Sequence, residues 1–175
     1  MSIAIYRKKA DGTTSSAADV AKYGVVEPNL LSAPRSGRVF ASRPAVSTIT
    51  ELENGMFVDY TVDTTEGPCV KLGGKYMVFN EEKLYDERLQ SHRDFVQKAE
   101  DSTNGVIVPR VFGMAAGDVF TTNTVTDGEY AVGDKLSVAA ATGLLKVDAA
   151  GTFAQVIAET TLPDGVTPAV KVQIL

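Results

Sequence analysis

Glycine turns cut the stretch from Gly105 to Leu175 into short runs rich in Val, Ile and Thr. Asp127-Gly128, Gly133-Asp134, Gly143, Gly151 and Asp164-Gly165 recur there at roughly the 8–12-residue spacing of a β-sandwich or barrel. A chain divided this way is restricted to strands that pair mainly antiparallel, with one face on a core and one in solvent. Expected strands are Val106–Phe112, Asp118–Thr122, Lys135–Val138, Leu144–Val147, Phe153–Glu159 and Ala169–Ile174. In the last, Val170, Val172 and Ile174 alternate with Lys171 and Gln173, the period-two signature of a half-buried strand.

The same period begins at Ser47. Ser47–Leu52 and Met56–Val62 flank Asn54-Gly55 and are expected to form a hairpin. Met56, Val58, Tyr60 and Val62 share one face of the second strand, and Phe57, Asp59, Thr61 and Asp63 share the other. Cys69–Leu72 and Tyr76–Phe79, on either side of Gly73-Gly74, suggest a second hairpin. One helix is expected over about 81–101, capped by Asn80, with Tyr85, Leu89, His92, Val96 and Ala99 on one stripe.

The first 45 residues lack strong periodicity. Pro28, Pro34 and Pro44 bias their neighbours toward extended backbone, although Val39-Phe40-Ala41 can add a strand. The expected organisation is an extended basic arm over 1–45 and a β-rich body over 46–175. That body is divisible at about 105 into 46–105 and 106–175. The fold class is mainly β: an antiparallel sandwich or barrel with one helix and an N-terminal arm.

Charge follows the same division. Arg7, Lys8, Lys9, Lys22, Arg35, Arg38 and Arg43 face only Asp11, Asp19 and Glu27, so the arm carries +4 of a total of −5. The remaining −9 on the body disfavours nucleic-acid binding, because phosphates would repel it. A basic arm on an acidic body suggests docking on an acidic surface, and Arg35, Arg38 and Arg43 are the candidate partner-binding residues. No apolar run approaches the ~20 residues of a membrane span, and the Arg7-Lys8-Lys9 region lacks the apolar core of a signal peptide. Synthesis in a reducing cytoplasm is therefore expected.

Residues able to support catalysis are sparse. His92 is the only histidine and lies on the apolar stripe of the expected helix, where a core or edge role explains it. Cys69 is the only cysteine, which excludes an intrachain disulfide. Four residues of strand place Asp59 and Asp63 roughly 13 Å apart, too far for the carboxylate pair of a glycosidase. Asp127, Glu129 and Asp134 invite a calcium reading but match no EF-hand loop. Leu72-Gly73-Gly74-Lys75 lacks phosphate-loop spacing. The expectation is a non-catalytic protein without a cofactor or metal.

The run Gly113-Met114-Ala115-Ala116-Gly117-Asp118-Val119-Phe120-Thr121-Thr122-Asn123, then Tyr130–Val138, Gly143–Val147 and Phe153–Glu159, has a recurring order. A Gly-Asp entry, a glycine turn and a Val-Ile return strand follow one another. That cadence, with the Glu53–Tyr60 segment, resembles the β-rich capsid decoration (cement) and head proteins of tailed bacteriophages, best over 113–175. The resemblance implies a virion protein on the outer capsid surface that braces adjacent major capsid protein subunits, as a homo-oligomer such as a trimer. It would need no cofactor, nucleic acid or membrane. The alternative is a glycan- or host-surface-binding virion module of fibre or adhesin type, using Tyr130 or Tyr85 as a stacking surface.

Overall fold

Alternation of apolar and polar residues decides which face each strand buries. The computed structural model describes residues 2–3 (backbone only), 23–80, 96–102 and 104–175. Its N-terminal strands are β1 (Ser2–Ile3), β2 (Val26–Leu30) and β3 (Val39–Phe40). The central ones are β4 (Glu51–Glu53), β5 (Phe57–Asp63), β6 (Gly67–Leu72), β7 (Tyr76–Val78), β8 (Val96–Lys98) and β9 (Val111–Gly113). Then come β10 (Val119–Thr122), β11 (Gly128–Glu129), β12 (Lys135–Val138) and β13 (Leu145–Val147), closing with β14 (Ala154–Thr161) and β15 (Pro168–Ile174).

Two sheets dominate. One has six strands in the order β13-β12-β14-β15-β10-β2, and the other five in the order β3-β9-β7-β5-β6. Every ladder between the described strands is antiparallel, and each sheet keeps two edges, so neither closes into a barrel. Between the sheets lies a core of Phe57 and Met77 from one, and Phe120, Leu136, Leu145, Val156, Val170 and Val172 from the other. The Phe57 ring stands 6.4 Å from Phe120 and 5.1 Å, edge-on, from Phe153, within the range where aromatic pairs attract beyond their buried area.

Period two on β5 places its first two residues in different cores. Phe57 enters the space between the sheets, while Val58 joins Val70, Val78 and Val111 on the opposite face. Ala45, Ile49, Leu52 and Ile107 cover that second cluster, with β4 and β8 paired above it as a small sheet. The five-stranded sheet is thus buried on both faces over part of its area, which explains runs such as Phe57-Val58 and Met77-Val78 that do not alternate.

Three expectations are corrected. The helix over 81–101 does not reach its expected end: Val96–Lys98 is a strand paired with β4, followed by a single 3-10 turn at Ala99–Asp101. Strand pairing sets Lys98 opposite Glu51 and lays Gln97 across the fully buried Leu52, a cross-strand charge match that outweighs the helical stripe there. The part of that helix over 81–95, with Tyr85, Leu89 and His92, lies outside the described residues.

Secondly, both turns form where expected but join different partners. Gly55 adopts φ 86°, yet β4 leaves the turn to pair with β8, not β5. Gly73 adopts φ 80°, and β6 and β7 flank β5 on opposite sides instead of pairing together. A Cβ on Gly73 would sit 2.5 Å from the Ala140 Cα, so only glycine lets this connection pass over the end of β5 against the β12–β13 turn.

Thirdly, residues 23–45 do not form a detached arm. β2 is an edge strand of the six-stranded sheet, β3 an edge strand of the other, and Val26, Ala33 and Ala45 are buried. Nor does position 105 separate two sheets, because β9 pairs with β7 and β3. The attachment is polar as well as apolar. Asn123 accepts from the Val25 N–H at 2.8 Å and donates to the Tyr23 carbonyl at 3.1 Å. Thr122 donates to the Val25 carbonyl, Glu53 accepts from the Gly24 N–H, and the buried Asp118 accepts from the Ser32 N–H at 2.9 Å.

Asn123→Ala would strip two backbone groups of their partners at a site 3% exposed. The expected loss is about 2–4 kcal/mol, since each buried unsatisfied group costs about 1–3 kcal/mol. Urea unfolding should show a lower midpoint with little change in slope. Deleting residues 1–45 should abolish the cooperative transition; a truncated chain that still unfolds cooperatively would detach those residues from the core.

Candidate interaction face

β3 and β6 are opposite edges of the five-stranded sheet, and the chain between them must cross its outer face. Ala45 forms a parallel bridge to Val70 of β6, with Val70 N–H donating to the Pro44 carbonyl at 2.8 Å and Val46 N–H to the Val70 carbonyl at 3.0 Å. Residues 41–44 therefore span from one edge to the other, and this crossing places Arg43. Its guanidinium carbon lies 4.8 Å from the centre of the Tyr60 ring.

Around that contact the outer face is aromatic. Tyr60 and Tyr76 are 4.9 Å apart, and Phe40 stands edge-on to both at 6.1 Å. Register explains the grouping: Tyr76 lies beside Val58 on β5, two residues before Tyr60 on the same face, while Gly113 beside Tyr76 carries no side chain to separate it from β3. Phe40 is 38% exposed, and the Lys75 amine sits 5.6 Å from the Tyr76 ring. A cation over an aromatic face is attracted by the ring quadrupole. Beside Lys75 an open groove runs between Gly73-Gly74 and Ala140, with Asp59 and Phe153 in its walls.

Electrostatics mark Tyr60 as the reporter of this face. Burial pushes its hydroxyl above the ordinary tyrosine pKa, Arg43 pulls it back, and Tyr76 adds a smaller upward push. The neutral phenol is thus the favoured form in the folded chain. Its contribution to stability is intact below the ordinary tyrosine pKa and is lost as pH rises through the elevated folded value.

The three candidate arginines are not brought together. Arg38 donates to Ser36 Oγ at 2.8 Å and Ser32 Oγ at 2.6 Å, so its guanidinium braces its own loop. Arg35 is exposed in the turn that Ser32 begins. Only Arg43 joins the aromatic cluster. No local motif marks Phe40, Tyr76 or Lys75, although the alternation of Met56–Val62 puts Tyr60 on one face with Val58. The cross-strand register that assembles them spans residues 40–113 and has no local signal.

Other candidates resolve into structural roles. Tyr130 is 1% exposed and donates to the Thr126 carbonyl at 2.8 Å, so it offers no stacking surface for a glycan; Tyr85 lies outside the described residues. Cys69 is free and buried. Asp63 accepts from the Thr65 and Glu66 N–H groups, which hold its carboxyl below the usual range, while Asp59 accepts from its neighbour Tyr60 N–H. Asp134 closes a turn by accepting from the Ala131 N–H. Among the described residues no three His, Cys, Asp or Glu side chains gather as a metal site. None of their helices is long and apolar enough to cross a membrane.

No protein-family model matches the chain, and no curated protein or solved structure is significantly similar to it.

Arg43→Gln should shift the Tyr60 titration to still higher pH, because it removes the one charge that favours the phenolate. Spectrophotometric titration of the phenolate, with Tyr60→Phe to identify the transition, checks this. An unchanged or lower Tyr60 transition in Arg43→Gln would separate the two side chains.

Proposed function

We propose that this chain is a structural, non-catalytic protein of a tailed-bacteriophage virion. It binds the outer surface of the capsid and braces adjacent major capsid protein subunits, acting as a small homo-oligomer such as a trimer. The observation that carries the reading is the contrast between the two outer faces. On the six-stranded sheet, Lys135, Gln155 and Gln173 lie in register across three strands, with Lys171 on the same face of β15. Such a ladder is at home in water. On the five-stranded sheet the outer face instead carries Phe40, Tyr60 and Tyr76 beneath cations. Aromatic and arginine side chains at a partly exposed surface are the residue types on which protein–protein contacts depend most heavily.

Supporting this reading are the cadence shared with decoration proteins and the rigid, doubly packed sheet beneath the face. A rigid face loses little entropy on docking, so more of the contact energy appears as affinity. On this reading the aromatic face, not a flexible arm, meets the capsid.

Mixing the purified protein with undecorated capsids should give saturable binding and a higher melting temperature of the shell, because a ligand selective for the assembled state stabilises it. Phe40→Ser should weaken that binding at least tenfold, about 1.4 kcal/mol, while leaving the chain folded. Absence of binding to any shell would remove the proposal.

A further inference from the structure

We infer that the Phe40–Tyr60–Tyr76 face receives an extended acidic segment of its protein partner. Carboxylates of that segment bond Arg43 and Lys75, and its intervening apolar side chains cover the rings. The inference deepens the capsid-binding reading and rests on it for the identity of the partner.

Two observations specify this chemistry. The first is that both cations of the face lie over rings, and neither has a carboxylate partner among the described residues. A guanidinium lying on an aromatic ring keeps its N–H edge available for a planar carboxylate. Burial of such a group without an anion would be costly, so a partner covering this face must supply one.

The second is the shape of the surface. Tyr60 and Tyr76 lie 4.9 Å apart with Phe40 edge-on to both, and Arg43 stands over the first ring and Lys75 over the second. An extended segment can cross these rings, placing one carboxylate near Arg43 and another near Lys75. In an extended strand alternate side chains leave on opposite faces, which suits a segment that alternates acidic with apolar residues.

The probe is a short fluorescein-labelled peptide alternating Glu with Leu, compared with its Gln-for-Glu counterpart, against the full chain. Anisotropy should show saturable binding of the Glu peptide, at least tenfold weaker binding of the Gln peptide, and weakening with added salt. Arg43→Gln with Lys75→Gln should cost tenfold or more, whereas Lys146→Gln on the exposed β13 should change nothing. The salt dependence of the unaltered chain tests the charge requirement even if the double variant folds poorly. Equal binding of the two peptides, no binding, or full binding by a folded double variant overturns the inference. So does concentration-dependent self-association abolished by the same pair, which would make the occupant a second copy.

Capsid mixing separates this inference from the reading beneath it. Shells that bind the double variant as tightly as the unaltered chain leave the capsid role standing and remove the acidic segment. Peptide binding without shell binding does the reverse.

Discussion

A polar seam buried between the sheets holds this fold together. Residues 23–26 run against β10 and the Asn54 turn, buried or half-buried, so their backbone N–H and carbonyl groups need partners within the chain. Each such group costs free energy unless a partner is supplied, and a run of small polar residues supplies them. Thr122, Asn123 and Thr124 are each no more than 3% exposed, and Thr124 Oγ donates to the Asn54 carbonyl at 2.6 Å. Asn54 in turn accepts from the Asn80 N–H at 2.7 Å, and Asn80 Oδ1 accepts from the Arg110 N–H at 3.1 Å. One chain of amides and hydroxyls thereby ties the N-terminal strand, the end of β7 and the approach to β9. Gly24 fits this seam only because it lacks a side chain: its Cβ would stand 2.4 Å from Thr124 Oγ.

Because that seam fixes β2 and the segment after it, it also fixes where the chain emerges to cross the outer sheet face. Ser32 is held by Asp118, the turn from Ser32 to Arg38 is closed by three backbone hydrogen bonds, and β3 follows on the edge of the five-stranded sheet. From there the chain reaches the far edge at β6 by way of Tyr60. The position of Arg43 is thus inherited from contacts on the other side of the molecule. Interiors packed this densely transmit displacement and do not absorb it, so the geometry of the aromatic face is coupled to the integrity of the core.

What could be read in the sequence was what depends on nearest neighbours. β12 and β15 fall where alternation and glycine spacing put them, the Asn54-Gly55 and Gly73-Gly74 turns form, and Val170, Val172 and Ile174 are buried while Lys171 and Gln173 are not. What could not be read was pairing. A turn with φ > 0 reverses the chain but does not choose a partner, and β5 takes both β6 and β7 because an interior strand pairs along both of its backbone edges. Proline misled in another way. Pro28, which in sequence marks irregular chain, is an edge-strand proline in β2, where prolines are tolerated in sheets. Basic charge drew attention to Arg35 and Arg38, yet hydroxyls of their own loop already satisfy Arg38. The aromatic cluster went unseen because its members come from three strands.

The sheet edges explain why a partner should meet this molecule on a face. Open edges invite strand addition, and folded chains usually block them. Here the outer edge of β6 is taken by the Ala45 bridge and that of β13 by a parallel bridge from Val125, reinforced by the Thr126 N–H on the Leu145 carbonyl at 2.8 Å. Pro28 interrupts the edge at β2, and β3 offers only two residues. Backbone pairing, the usual route by which β-proteins join other chains, is therefore narrowly limited among the described strands. Side-chain chemistry on a flat face is what remains, and the two faces are not equivalent: one is a hydrated ladder, the other a set of rings with cations above them. Recognition by such a face depends on aromatic area and charge together, since neither an apolar surface without anions nor an anion without apolar cover would match it.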